Sequence, residues 1–380
     1  MVDISWAEFW WNNITGPHVV VTKVTNALLE NRSVLLNVPA DLSWRQSMRS
    51  SINSAFREKL FSSEIVIELI DDADDNPEHM APGRFILSRF ATSVDRKGYR
   101  ERSRTTIQEY ITAKNILRNR VVWVKGVSGK NAETWIDFIR GFSKRSLETG
   151  LFVLEVQGKF RQNDAGPMEL INYSEHVSTY DVQLFNGFVL DEKDEYSDQW
   201  KNYIAAVSSA LCGTDAEISA ELIETCRFKT DNVIDSLKGI AESPVYARRG
   251  EENPEHVLWN CRNNKISELE YRIWQAQVQI LFPIIEIERV KIIRELREII
   301  QEILDQNCIT QYNEPLTDAA DTELGSLCYL MSRREYDGSY SLYIPDEAKR
   351  DWIYILHKCR NNLAHVSCCA VEQVSALLNS

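Results

Sequence analysis

Arg360-Asn361-Asn362-Leu363-Ala364-His365 brings together the residue types that cleavage of an RNA strand needs. Attack of a 2′-hydroxyl on the neighbouring phosphate requires a proton acceptor, a proton donor and stabilisation of a crowded phosphorane. Histidine titrates near neutrality and can fill the first two roles. Arginine presents a planar fork that matches phosphate oxygens. On a helix, Asn361 and His365 share a face at i, i+4, whereas Arg360 points about 140° away from His365. One copy of the run is then a poor site, and two copies facing each other across a symmetry axis make a better one. That geometry is a reason to expect a homodimer. The competing use of the same residues is a polar helix start in which Arg360 and Asn361 cap and pair.

The run resembles the signature of the HEPN superfamily: an Arg, a polar residue, and a His four to six residues after the Arg, in a late helix of a small helical bundle. The resemblance covers about residues 260–380. It implies a metal-independent endoribonuclease that acts as a dimer, both motifs lining one cleft, with Arg360, Asn361 and His365 catalytic and no cofactor or metal. Members that keep the motif for packing or dimerisation also exist, so a non-catalytic dimer module stays open beside the nuclease. Trp274-Gln275-Ala276-Gln277 and Glu286 to Arg289, upstream, read first as core and surface-pair residues and second as cleft wall.

A second cluster carries charge. The chain of 380 residues has a net charge of −13, so it should not coat nucleic acid nonspecifically, and any such site must be local. Between Arg84 and Lys130 twelve basic residues face three acidic ones. The densest part, Arg96, Lys97, Arg100, Arg102 and Arg104, reads as a surface for RNA or an acidic partner, or as a solvated loop. Eight cysteines are scattered after residue 211 without a Cys-x2-Cys pair. They read as reduced, mostly buried thiols. The rival is a metal cluster of His357, Cys359, His365, Cys368 and Cys369.

These residues need elements to position them. Five apolar runs read as strands: 34–38, 65–70, 121–125, 151–156 and 182–190. Helical patterns lie between them at 43–60, 104–117 and 132–146, which argues a parallel sheet with crossover helices. Beyond residue 191 the pattern is helical: 196–212, 215–226, 232–241, a long amphipathic segment 265–306 that Pro283 should kink or split, then 317–331, 346–365 and 369–378. The expected organisation is an α/β domain over 1–190, a helical lid or linker over 191–254 and a helical bundle over 255–380.

The α/β part resembles a P-loop ATPase of the AAA or STAND kind in architecture, without its motifs. After the first strand, where Gly-x4-Gly-Lys-Ser/Thr would wrap a phosphate, the chain reads Asn37-Val38-Pro39-Ala40-Asp41-Leu42-Ser43-Trp44-Arg45-Gln46. It has no glycine and no lysine there. The third strand ends in Lys125-Gly126 instead of an acid, and Gly126 to Asn131 is a decoy with its glycines too close together. Asp71, Asp72, Asp74 and Asp75 read as a solvated loop. The expectation is an ATPase-like scaffold that has lost hydrolysis, beside a HEPN-like module. That pairing resembles bacterial antiphage or toxin–antitoxin proteins, with a non-catalytic assembly subunit binding a protein partner as the alternative. No run of about eighteen apolar residues crosses a membrane, and the first eleven residues lack a signal-peptide pattern, so a cytoplasmic protein is expected.

Overall fold

The computed structural model describes residues 5–60, 65–76, 80–100, 104–127, 129–142, 146–306 and 316–379. The chain divides into two compact units. One is Met1–Phe185 with Thr214–Glu217; the other is Asn186–Gly213 with Ile218–Ser380. The helices between Ser197 and Arg262, apart from the 214–217 segment, fall in the second unit.

The first unit is α/β. Its strands are β1 (Val34–Asn37), β2 (Val66–Asp71), β3 (Arg120–Val127), β4 (Leu151–Val156) and β5 (Glu169–Asn172). They form one parallel sheet in the order β2-β3-β4-β1-β5. The interior strands β1 and β4 are apolar nearly throughout because crossover helices cover both faces. Phe85, Trp135, Phe138, Phe142 and Phe152 pack together on the sheet. Two helices not evident from the sequence, Trp6–Asn13 and Thr15–Leu29, precede β1 and bury Trp10 and Trp11. The second of them starts where Asp181 accepts the Gly16 N–H at 3.0 Å. A Cβ at Gly16 would lie 2.5 Å from the His176 carbonyl oxygen, so this close approach requires glycine.

The fifth strand expected at 182–190 is a helix, Thr179–Asp191, and the sheet is completed instead by β5. Val182, Phe185 and Val189 are buried at i, i+3, i+7, which is a helical stripe. Ser178 and Asp181 supply the start: Asp181 accepts both the N–H and the hydroxyl of Ser178. Asn186, at the centre of the run, is fully buried and bonded to Ser219 and to the Ala205 carbonyl.

The second unit is helical. Its spine is Ile266–Asp305, a single helix of 40 residues that runs through Pro283 without being split. The missing N–H at Pro283 deprives the Gln279 carbonyl of a partner, and Gln279 is exposed to water. Glu347–Ala364 and Val371–Leu378 pack on it, and Leu324–Ser332 packs on Glu347–Ala364. No described helix is long and apolar enough to cross a membrane.

Candidate functional site

The Arg360–His365 run occupies the last turn of Glu347–Ala364, and His365 is the residue that caps it. This helix is fixed along the spine at several points. Trp352 donates to Glu288 at 3.4 Å, and Lys349 pairs with Glu295. Trp274 donates its indole N–H to the Leu363 carbonyl at 2.8 Å. Gln277, almost fully buried, accepts the Cys369 N–H at 2.7 Å and donates to the Cys369 carbonyl and to the Tyr203 hydroxyl. Burial pushes the Tyr203 phenol above its ordinary range. Trp274 and Gln277 therefore hold the end of the motif helix and the chain that leaves it.

The three predicted residues have different surroundings. Arg360, half-buried, reaches Glu323 at 3.4 Å. Asn361 meets His357, one turn earlier, at 3.0 Å between Nδ2 and Nε2. Burial and then the Arg360 charge hold His357 below the usual imidazole value. His365 is exposed, and among the described residues its imidazole has no hydrogen-bond partner. The sequence pattern had assigned His357 only to a metal alternative; its i, i+4 spacing to Asn361 was the available signal. His357, Asn361 and His365 follow one another at i, i+4, i+8 along a single ridge.

The cysteines of that alternative point elsewhere. Cys359 is buried, Cys369 donates toward the Cys359 carbonyl at 3.8 Å, and Cys368 donates to the Glu270 carbonyl at 3.2 Å. Burial and the Glu270 charge push the Cys368 thiol up to about 11. Among the described residues no group of three or more His, Cys, Asp or Glu is arranged to hold a metal ion. Cys308 lies outside the described residues, and the seven others are free thiols.

Immediately after His365, Val366 takes φ +57°. The Ser367 N–H bonds the Asn362 carbonyl at 2.9 Å and the Val366 N–H reaches Leu363 at 3.4 Å, which is a Schellman ending with a β-branched residue where glycine is usual. The left-handed conformation costs such a residue about 1–2 kcal/mol. Val366→Gly is expected to raise stability by about 1 kcal/mol, read as a higher urea midpoint. An unchanged or lower midpoint would show that no strain is stored there.

In the first unit, the segment that follows β1 bonds to other groups of the protein. The Arg45 guanidinium donates to the Pro39 and Ala40 carbonyls at 2.7 and 2.8 Å and to Glu155 at 2.5 Å. At the start of the Arg45–Lys59 helix, Trp44 adopts φ +43° and donates its N–H to Glu217 at 2.8 Å. Ser43 donates to Asp215 at 3.0 Å. Carboxylates thus take the helix end where an anionic ligand would bind. Lys125 pairs with Asp71 at 2.5 Å, and Asp72, buried, accepts from Asn76 and Asn131.

Arg96 and Lys97 are exposed on the short helix Ser93–Gly98, and Arg100 and Arg104 are exposed beside it. Arg96 donates to the Ser88 carbonyl at 3.3 Å. Tyr110 anchors this helix through the Asp95 carbonyl at 2.8 Å. Arg102 lies outside the described residues. No protein-family model matches the chain, and comparison with curated proteins gives no match.

Proposed function

We propose that the chain is a metal-independent endoribonuclease of the HEPN kind. It acts as a homodimer through the helical unit and is governed by an ATPase-like unit that does not hydrolyse nucleotide, in a bacterial antiphage or toxin–antitoxin setting. The observation that carries this reading is the exposed, uncommitted imidazole of His365, five residues after an Arg360 whose one carboxylate contact among the described residues is long and solvent-accessible. A phosphate can displace Glu323 from Arg360, because a bidentate phosphate contact is stronger than one exposed ion pair. Arg360 and His365 of one chain diverge on the helix, so the pair that flanks a scissile phosphate comes from two copies. The experiment is incubation of purified protein with RNA in EDTA, with His365→Ala as the control.

The order of the parallel strands supports the AAA/STAND-like reading of the first unit, and the carboxylates on the Arg45–Lys59 helix end support its loss of hydrolysis. Purified protein is expected to show no ATP turnover above a buffer control. Steady turnover that disappears on substitution of Arg45 would overturn this assignment.

A second reading has its own observation. Arg360 and Asn361 both have partners within the chain, Glu323 and His357. A non-catalytic dimeric assembly subunit would use them in this way. It predicts no cleavage by the wild type and a large loss of stability in His365→Ala.

A further inference from the structure

The spine helix carries a second cationic feature that the motif does not explain. The turn Ala319–Asp321 crosses the helix and is tied to it at both ends. On one side, Gln301 donates to the Thr317 carbonyl at 3.1 Å and accepts the Ala319 N–H at 3.0 Å. On the other, Arg289 donates to the Thr322 carbonyl at 3.1 Å. Between the two ties lies a cavity of about 240 Å3, lined by Arg289, Val290, Ile293, Arg294, Arg297 and Ala320. The five helical positions, i, i+1, i+4, i+5 and i+8, cover an arc of about 140°.

Three acids of this stretch of helix are already matched, while Glu298 and Glu302 beyond them have no ion pair among the described residues. Glu286 pairs with Arg289 at 2.9 Å, Glu288 with Lys291 at 2.6 Å, and Glu295 with Lys349. Arg294 and Arg297 are left as cations with no ion pair among the described residues. Two unneutralised guanidiniums at one concavity, in a chain with a net charge of −13, are a local attraction for an anion. The size suits one phosphate group with a few waters, a water taking about 30 Å3. The apolar floor of Val290, Ile293 and Ala320 offers no hydrogen-bond acceptor from its side chains, which favours an anion over a neutral or cationic guest. The cavity also connects to the motif: the carbonyl held by Arg289 and the carboxylate held by Arg360 belong to adjacent residues, Thr322 and Glu323.

We propose that this arch is a phosphate subsite, occupied by a backbone phosphate of the RNA strand whose cleavage was assigned above to Arg360 and His365. The proposal rests on that reading for the identity of the strand, and on the arginines and the arch for the site. Arg294 and Arg297 hold the phosphate; Arg289, engaged with Glu286 and Thr322, holds the arch open.

The test uses the full chain carrying His365→Ala, so that bound RNA stays intact, and a fluorescent single-stranded RNA titrated at several KCl concentrations. Adding Arg294→Glu and Arg297→Glu is expected to weaken binding at least tenfold. It should lower the slope of log K against log salt by about 0.7, the contribution of the one phosphate held there on a single strand. The Gln pair at the same positions removes charge without reversing it and should lower the slope similarly. Both positions are exposed, and an unchanged melting temperature confirms that the variants fold. Unchanged affinity and slope in both pairs would overturn the subsite. So would absence of RNA binding by the parent, or arginine-dependent binding of ATP or inorganic phosphate in preference to RNA. If the wild type cuts no RNA but binding depends on the two arginines, the subsite stands and the nuclease reading falls. If it cuts RNA and both pairs bind unchanged, the reverse holds.

Discussion

RNA cleavage by His365→Ala is expected to fall by about a hundredfold to ten-thousandfold, the usual contribution of one positioned proton-transfer group. EDTA should leave the wild-type rate unchanged. His365 caps the helix through its backbone, whose N–H meets the Asn361 and Asn362 carbonyls at 3.0 and 3.2 Å; alanine keeps that N–H. The imidazole itself is exposed, so stability should change by no more than about 0.5 kcal/mol. Arg360→Lys should also fail, because a point-charge ammonium cannot reproduce the two parallel bonds of a guanidinium on a phosphate. Mixing His365→Ala with Arg360→Ala subunits adds a further arm. If the working pair comes from two chains, the mixed dimer regains one complete site and part of the activity. A sharp fall in melting temperature for His365→Ala, together with a wild type that cuts no RNA, would transfer the motif to the assembly-subunit reading.

The largest stability effect is expected at Glu155. Its carboxylate, 3% exposed on β4, accepts from Arg49 through two bonds at 2.8 and 2.9 Å, from Arg45 at 2.5 Å and from the Trp123 indole at 2.9 Å. Glu155→Gln removes the anion and leaves two guanidiniums facing each other in a mostly buried place. Breaking a buried pair in this way costs about 3–5 kcal/mol. The pH dependence follows from opposed effects. Burial raises the Glu155 pKa; the Arg49 hydrogen bond and charge, the Arg45 charge and the Trp123 bond lower it, and they prevail, so it falls below its ordinary value of 4.5. The folded carboxyl therefore holds its proton less tightly than the unfolded one. Its contribution is complete above about pH 4.5 and disappears as the pH drops through the depressed folded value. Urea midpoints of wild type and Glu155→Gln should differ most at neutral pH and converge in acid. A constant gap from pH 7 to pH 3 would remove Glu155 as the source.

Much of this architecture is legible in the sequence, for reasons that particular residues make plain. β4 is readable because it lies in the sheet interior and is buried at every position, so its composition carries no conflicting signal. β5 has only Leu170 and Ile171 to announce it and stands at a sheet edge. The helix at Thr179–Asp191 was harder, since Val182 to Leu190 is apolar on several faces and Gly187 reads as a breaker; its capping pair Ser178 and Asp181 was the discriminating feature. Pro283 reads as a kink or a split, yet the helix continues through it, and Gln279, whose carbonyl loses its partner, is an exposed residue. In the candidate site, Arg360 and His365 were found by spacing. Glu323 and His357, the partners of Arg360 and Asn361, were not distinguished, because Glu323 is distant in sequence and its role depends on tertiary packing. Arg294 and Arg297 were invisible for the same reason: only the crossing turn at Ala319–Asp321 turns a charged helix face into a concavity.

The strand order sets a timetable for synthesis. β1 is made early, but its two neighbours are Val153 to Val156 on one side and Glu169 to Asn172 on the other. At about 5–20 residues per second, the apolar Val34-Leu35-Leu36 segment is out of the ribosome on the order of ten seconds before either partner exists. The helices carrying Trp10 and Trp11 emerge in the same interval. Asp215 and Glu217, which fasten Ser43 and Trp44, arrive later still. Nascent chains arrested before residue 151 should therefore recruit ribosome-associated chaperones and be cut readily by protease, and chains arrested beyond residue 217 plus the length of the exit tunnel should resist it.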